Sequence, residues 1–197
     1  MLRVIDVSDP AAMVVVGALA LAGPCRSVTA RGNSVYLACG PMGVAQVSII
    51  DPTQPFLYDV LDVGDVDVVV RARRGLLAVA SGNGGQIKVY RSFGAGVSEL
   101  IGQVSTDKRP RRTYLGAQLI HVAEGGASTW LKCLSGGSCP KGQAAEVFSV
   151  DEVGSAVDLV GSYAMSEGQV PFGEVIGDLV VHATQQGFRI HRVEEVP

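Results

Sequence analysis

Four cysteines, a single tryptophan and two runs of basic residues are the groups in this 197-residue sequence with the clearest capacity for chemistry. The cysteines fall into two local pairs, Cys25 with Cys39 and Cys133 with Cys139. Cys25 and Cys39 flank a turn centred on Gly32-Asn33, which places them nearly opposite each other on one hairpin. Cross-strand Cβ atoms come close enough there for a disulfide. Two readings follow: a pair of local disulfides formed in an oxidising compartment, or four free thiols, with Cys25 and Cys39 as small core residues. A zinc site needs four ligands at recognisable spacing. Cys133 and Cys139, with no histidine nearby, supply two.

Arg71, Arg73 and Arg74 form one basic cluster, and Lys108, Arg109, Arg111 and Arg112 form another. Asp65 and Asp67 stand just before the first. A mouth of mixed charge built from Asp65, Asp67, Arg71, Lys108 and Arg109 is a candidate ligand site, because concave charged openings often bind small molecules. The plainer reading is solvated strand ends whose charges pair locally and add little stability. His121, His182 and His191 stand singly on apolar stretches and read as structural. No nucleophile elbow, phosphate-binding loop or zinc array is present, and the sequence calls for no cofactor.

Composition narrows the class of elements that position these groups. Hydrophobic residues make up 47% and charged residues 18%, which argues against disorder. The formal net charge of −3 lacks the basic excess of a nucleic-acid binder. Abundant β-branched residues broken by 25 glycines predict an all-β chain of many short strands. The uncharged run Ala11 to Gly23 resembles the apolar part of a secretion signal. However, the segment before it holds one Arg against two Asp, where a signal starts positive, and the run recurs as a repeat element. It is also too short to span a bilayer.

The repeat sets the architecture. Ser8-Asp9-Pro10 and Ile50-Asp51-Pro52 lie 42 residues apart, each after an alternating apolar strand. Asp-Pro starts turns, since Pro fixes φ and Asp can bond the turn backbone. Val15-Val16-Gly17, Leu57-Tyr58-Asp59, Leu100-Ile101-Gly102 and Leu159-Val160-Gly161 follow at intervals of 42, 43 and 59. Between them lie two-strand units turning at Gly32-Asn33, Arg74-Gly75, Gly116-Ala117 and Gly177-Asp178, and tight hairpins need such positive-φ residues. Four strands per unit of about 42 residues predict a β-propeller, whose sheets bury their faces by stacking around an axis. Full units are expected at 25–63, 65–104 and 109–163. Two outer strands precede them at 2–7 and 14–20, and three strands follow at 170–193. Both ends offer the same third strand, so closure into four blades leaves one over. The expectation is one propeller domain over 1–197, incomplete or part of a larger one, with a closed four-bladed ring as the alternative.

The long interval reflects an insertion, residues 125–143, within the third unit. It carries Trp130, Cys133 and Cys139. Loops of this length are often functional. A disulfide-pinned surface loop is one reading. A binding loop with Trp130 as its anchor is another.

The segments LRVIDVSDPAAMVVVGALAL and SVTARGNSVYLACGPMGVAQVSIIDPTQP resemble the LVIVD-type repeat of bacterial and archaeal cell-surface and secreted propellers. The likeness is strong over residues 2–60. From 61 to 197 strand spacing persists without the Asp-Pro turns. The resemblance implies a propeller fold and an extracellular or cell-envelope location, with protein or carbohydrate at the cell surface as the class of partner. It implies no reaction, since propellers host many functions. The function expected is therefore a non-catalytic binding or structural scaffold. The alternative is a fragment of a propeller enzyme with a small-molecule or metal site at the channel mouth.

Overall fold

Alternation of apolar and polar residues, cut by glycine turns, gives strands throughout the computed structural model. It describes residues 1–63, 68–73, 75–81, 85–92, 98–105, 110–115, 119–124, 144–150, 157–164, 169–176, 179–184 and 187–192, with side chains placed for 1–63, 72, 75–81, 85–92, 98–105, 179, 181, 190 and 192. Among these residues there is no α-helix. The opening pair is β1 (Leu2–Asp6) and β2 (Val14–Leu19). The first full sheet holds β3 (Ser27–Arg31), β4 (Ser34–Ala38), β5 (Val44–Ser48) and β6 (Phe56–Leu61). The second holds β7 (Val68–Arg73), β8 (Leu76–Ser81), β9 (Gln86–Ser92) and β10 (Ser98–Ser105). The third holds β11 (Pro110–Leu115), β12 (Leu119–Glu124), β13 (Ala144–Val150) and β14 (Val157–Ala164). The last has three strands, β15 (Gln169–Ile176), β16 (Leu179–Thr184) and β17 (Gly187–Arg192).

Each sheet is an antiparallel meander in chain order, and among the described residues no ladder joins one sheet to another. Their inner strands pack in sequence instead: β3 lies beside β7, β7 beside β11 and β11 beside β15. The glycine turns adopt the expected backbone, with φ of +55° at Gly32 and +87° at Gly75. The Asp-Pro turns work as their chemistry predicts. Asp9 Oδ1 accepts the Ala11 N–H at 2.9 Å. Asp51 Oδ1 accepts both the Thr53 N–H at 2.9 Å and its hydroxyl at 2.6 Å. These bonds favour the Asp51 carboxylate and hold its pKa below the usual 3.8, the hydroxyl contributing most.

The recurring tripeptides prove to be β-bulges. In every outer strand one residue is skipped by the ladder: Val16 in β2, Tyr58 in β6, Ile101 in β10 and Val160 in β14. Two residues then oppose one, and the strand twists more tightly. Val15, Leu57 and Leu100, just before the skipped position, are left exposed. Gly17, just after it, makes a close approach. A Cβ there would lie 2.1 Å from the Pro52 carbonyl oxygen, so the Asp51-Pro52 turn of the next sheet packs where only glycine leaves room.

Burial follows the stacking. Tyr36, Ala38 and Val44 of the first sheet meet Leu77, Val79 and Tyr90 of the second. The opposite face of the second sheet carries Leu76, Ala78, Ala80, Ile87, Val89 and Ile101. Leu77, Val79 and Ile87 are fully buried, and each such side chain stabilises the fold by about 1.5–3 kcal/mol. One short element was not expected: a 3-10 turn, Gly40–Met42, carries the chain from β4 to β5.

Candidate binding surface

The first full sheet is covered unequally on its two faces. Val35, Leu37, Cys39, Ala45 and Val47 form the face away from the second sheet, and Leu2, Leu19 and Leu21 pack against them. The residues of β4 and β5 on this face are buried, and the exposed one stands on β3. Val28 pairs with Leu37 on β4 and so lies on the same face, yet it is 57% exposed. The far side of the opening pair is apolar as well. Ile5 and Val15 are register partners, 49% and 50% exposed. Val7 and Met13 continue the exposed apolar surface where the two strands meet their turn. Elsewhere in the described core such faces are covered by the next sheet, so this is an open stacking face.

A disulfide fixes the base of this surface. Cys25 and Cys39 are joined, 14 residues apart in sequence. The expected cross-strand placement needs one adjustment, since both residues lie just beyond the ends of β3 and β4. The Arg26 N–H donates to the Ala38 carbonyl at 2.9 Å and extends the ladder towards the bond. Cys39 is buried within the same apolar cluster that receives Leu2 and Leu19. The bond therefore ties the link after β2 to the sheet on which the opening pair rests.

The interface between the first and second sheets is different in kind, because it contains hydroxyls. Tyr36 Oη and Ser92 Oγ form a hydrogen bond of 2.5 Å across it. Tyr58, the skipped residue of β6, turns inward beside Ser34 and Tyr36, and burial pushes its phenol above the usual 10. Its hydroxyl neighbours those of Ser34 and Tyr36 but forms no hydrogen bond of ordinary geometry with a described residue, and neither does that of Ser98. Towards the other end, Gln46 Nε2 donates to Asp59 Oδ2 at 3.2 Å. Lys88 Nζ donates to the Val63 carbonyl at 3.0 Å. Burial also raises the Tyr90 phenol, with the Asp62 carboxylate adding to the effect.

The expected channel-mouth set lies almost wholly outside the described residues. Arg71 lies on β7, paired with Ala78, and its side chain is not among those described. Asp65, Asp67, Lys108, Arg109, Trp130, Cys133 and Cys139 lie outside the described residues, as does the insertion 125–143. Among the described residues, no group of three or more His, Cys, Asp or Glu could hold a metal ion. No helix among them is long and apolar enough to cross a membrane.

Comparison with known proteins decides the architecture. The chain superposes on the β-propeller domain of Myceliophteria thermophila Cps50 (Swd1) with a TM-score of 0.67 at 8% identity, over 98% of this chain and 62% of that one. The fold is a β-propeller. It is also similar to the computationally designed protein Ika4, with a TM-score of 0.65 at 9% identity, over 91% of this chain and 98% of that one. Saccharomyces cerevisiae Sqt1 matches with a TM-score of 0.56 at 10% identity, over 88% of this chain and 48% of that one. The chain thus spans less than two thirds of the Swd1 domain and about half of Sqt1. No protein-family profile and no curated protein matches the sequence.

Proposed function

We propose that this propeller is a non-catalytic binding scaffold that works through polypeptide contact at its open stacking face. One observation carries the reading: Ile5 is 49% and Val28 57% exposed, whereas Val47, the counterpart of Ile5 in the next sheet, is fully buried. Contiguous exposed apolar surface marks interaction sites, and exposed sheet edges recruit further strands. The LVIVD-like repeat over residues 2–60 supports a place outside the cell or at its envelope. The Cys25–Cys39 bond supports the same compartment, since disulfides persist in oxidising surroundings. The partner class is a protein chain, and carbohydrate gains no support from an apolar, β-branched surface.

The test is site-specific photo-crosslinking in the producing cell, with the photoreactive residue at position 28 or 5. The expected result is a discrete, saturable adduct whose second component is one identified polypeptide, lost when Val15→Lys is also present. A control at Thr53, on the exposed turn, gives no adduct. Equal labelling at 28, 5 and 53, or none at 28 and 5, contradicts the reading.

A further inference from the structure

Five hydroxyls occupy the interface between the first two full sheets at positions that the repeat otherwise fills mainly with apolar residues. Ser34 opens its strand where the equivalent strands open with Leu76, Leu119 and Leu179. Two residues on, Tyr36 stands where those strands have Ala78, His121 and Val181. Tyr58 takes the skipped position held elsewhere by Val16, Ile101 and Val160. On the facing sheet, the Ser92 N–H donates to the Gly75 carbonyl just as the Ile49 N–H donates to that of Asn33, so serine replaces isoleucine. Ser98 precedes its bulge by the same interval as Pro55 and Val157 precede theirs.

These five point into one interface. Tyr36 packs against Leu77, Val79 and Tyr90 of the second sheet. Ser34 and Tyr36 alternate onto the same face, with Tyr58 beside them. Ser92 reaches Tyr36 directly, and Ser98 is the register partner of Ser92. The apolar equivalents show that stacking does not require polarity here. Burying a hydroxyl without a bond is costly, and only the Tyr36–Ser92 bond closes between the two sheets among these groups. Tyr58 Oη comes from one sheet and Ser98 Oγ from the other. Both are buried without a hydrogen bond of ordinary geometry to a described residue; Tyr58 lies beside Tyr36, and Ser98 is paired in register with Ser92. Each hydroxyl can donate one hydrogen bond and accept two. Buried waters characteristically serve such otherwise unsatisfied groups and become part of the structure.

We propose that this interface is a built hydration site, in which a water molecule bonds Tyr58 Oη and Ser98 Oγ and keys the first sheet to the second beside the Tyr36–Ser92 bond. The site distinguishes this interface from its apolar counterparts, and it would specify which sheet stacks on which. The inference is independent of the open face and of any partner bound there.

The test combines Tyr58→Phe, Ser98→Ala and the double variant in the full chain. Each single change is expected to lower the melting temperature by about 1–6 °C, the loss of one satisfied hydrogen bond in a chain of this size. The double variant should lose clearly less than the sum, because both changes release the same water. Removing a hydroxyl that truly lacks a partner is neutral or stabilising. Melting temperatures at or above that of the parent would therefore overturn the proposal, and so would strictly additive losses. Oxygen-17 relaxation dispersion of the solvent gives a second reading that does not depend on stability. It should show one long-lived internal water fewer in the double variant, and an unchanged count overturns the site.

Discussion

Replacing Gly17 by alanine tests how the opening pair is held. The new Cβ would lie 2.1 Å from the Pro52 carbonyl oxygen and 3.0 Å from Pro55 Cδ. Ordinary contact starts at 3.4 Å, so the methyl group arrives about 1.3 Å too close to backbone. The Pro52 turn is poorly placed to give way, because Asp51 holds it through the Thr53 N–H and hydroxyl and through the Gln54 N–H. Hence β1–β2 must move, loosening Leu2 and Leu19 from Val35 and Leu37. Overpacking of this kind costs about 1–3 kcal/mol, a fall of roughly 2–12 °C in melting temperature for a chain of this length. Amide exchange localises the damage: protection should drop at Arg3 to Ile5 and at Val14 to Val16 before it drops in β4 or β5. Gly23→Ala is the matched control, since its nearest neighbour would be the Cys39 carbonyl oxygen at a comfortable 3.6 Å. If the two variants melt and exchange alike, the packing of the opening pair against the Pro52 turn is wrong.

Three further outcomes follow from the same geometry. Leu77→Ala empties a fully buried position between the first two sheets. It should cost about 2–5 kcal/mol in denaturant unfolding, whereas Leu100→Ala at an exposed site should cost far less. Replacing Cys25 and Cys39 together by serine removes the crosslink and should cost about 3 kcal/mol by loop entropy, read by chemical unfolding with and without reductant. Asp51 has a folded pKa below its unfolded value, so its contribution is present above the unfolded pKa and is lost as pH falls through the folded one. Carboxyl NMR should give Asp51 a midpoint below 3.8, and Thr53→Val should raise it, since the hydroxyl is the largest cause.

Much of the fold could be read because its signals are local. Alternation located the strands, Gly32-Asn33 and Arg74-Gly75 located two inner hairpins, and Asp9-Pro10 and Asp51-Pro52 located the outer turns. The bulges escaped notice for a physical reason. A skipped residue breaks the period of two at one position only, so Leu57-Tyr58-Asp59 reads as ordinary strand. Two adjacent apolar residues before a recurring glycine, as in Val15-Val16-Gly17, were the available sign. The hairpin made a Cys25–Cys39 bond one of two open readings, and the structure has the bond, with both residues past the strand ends. The hydroxyl interface was harder to see, because Ser34, Ser92 and Ser98 look like solvent-facing strand residues one at a time. Comparing equivalent positions along the repeat, rather than motifs, would have shown that polarity is concentrated between two sheets. The open face needed three dimensions, since Val28 is apolar like its buried neighbours and differs from them only in exposure.

The most direct measurement of the open face is light scattering after chromatography on the purified 197-residue chain across a range of concentrations, with thermal unfolding alongside. An apolar stacking face without its cover should drive self-association that rises with concentration, and Val28→Lys with Ile5→Lys should suppress it. A strict monomer at every concentration, with one sharp transition and no change in the double variant, would show that the sheets close on themselves and that this face is not the working surface.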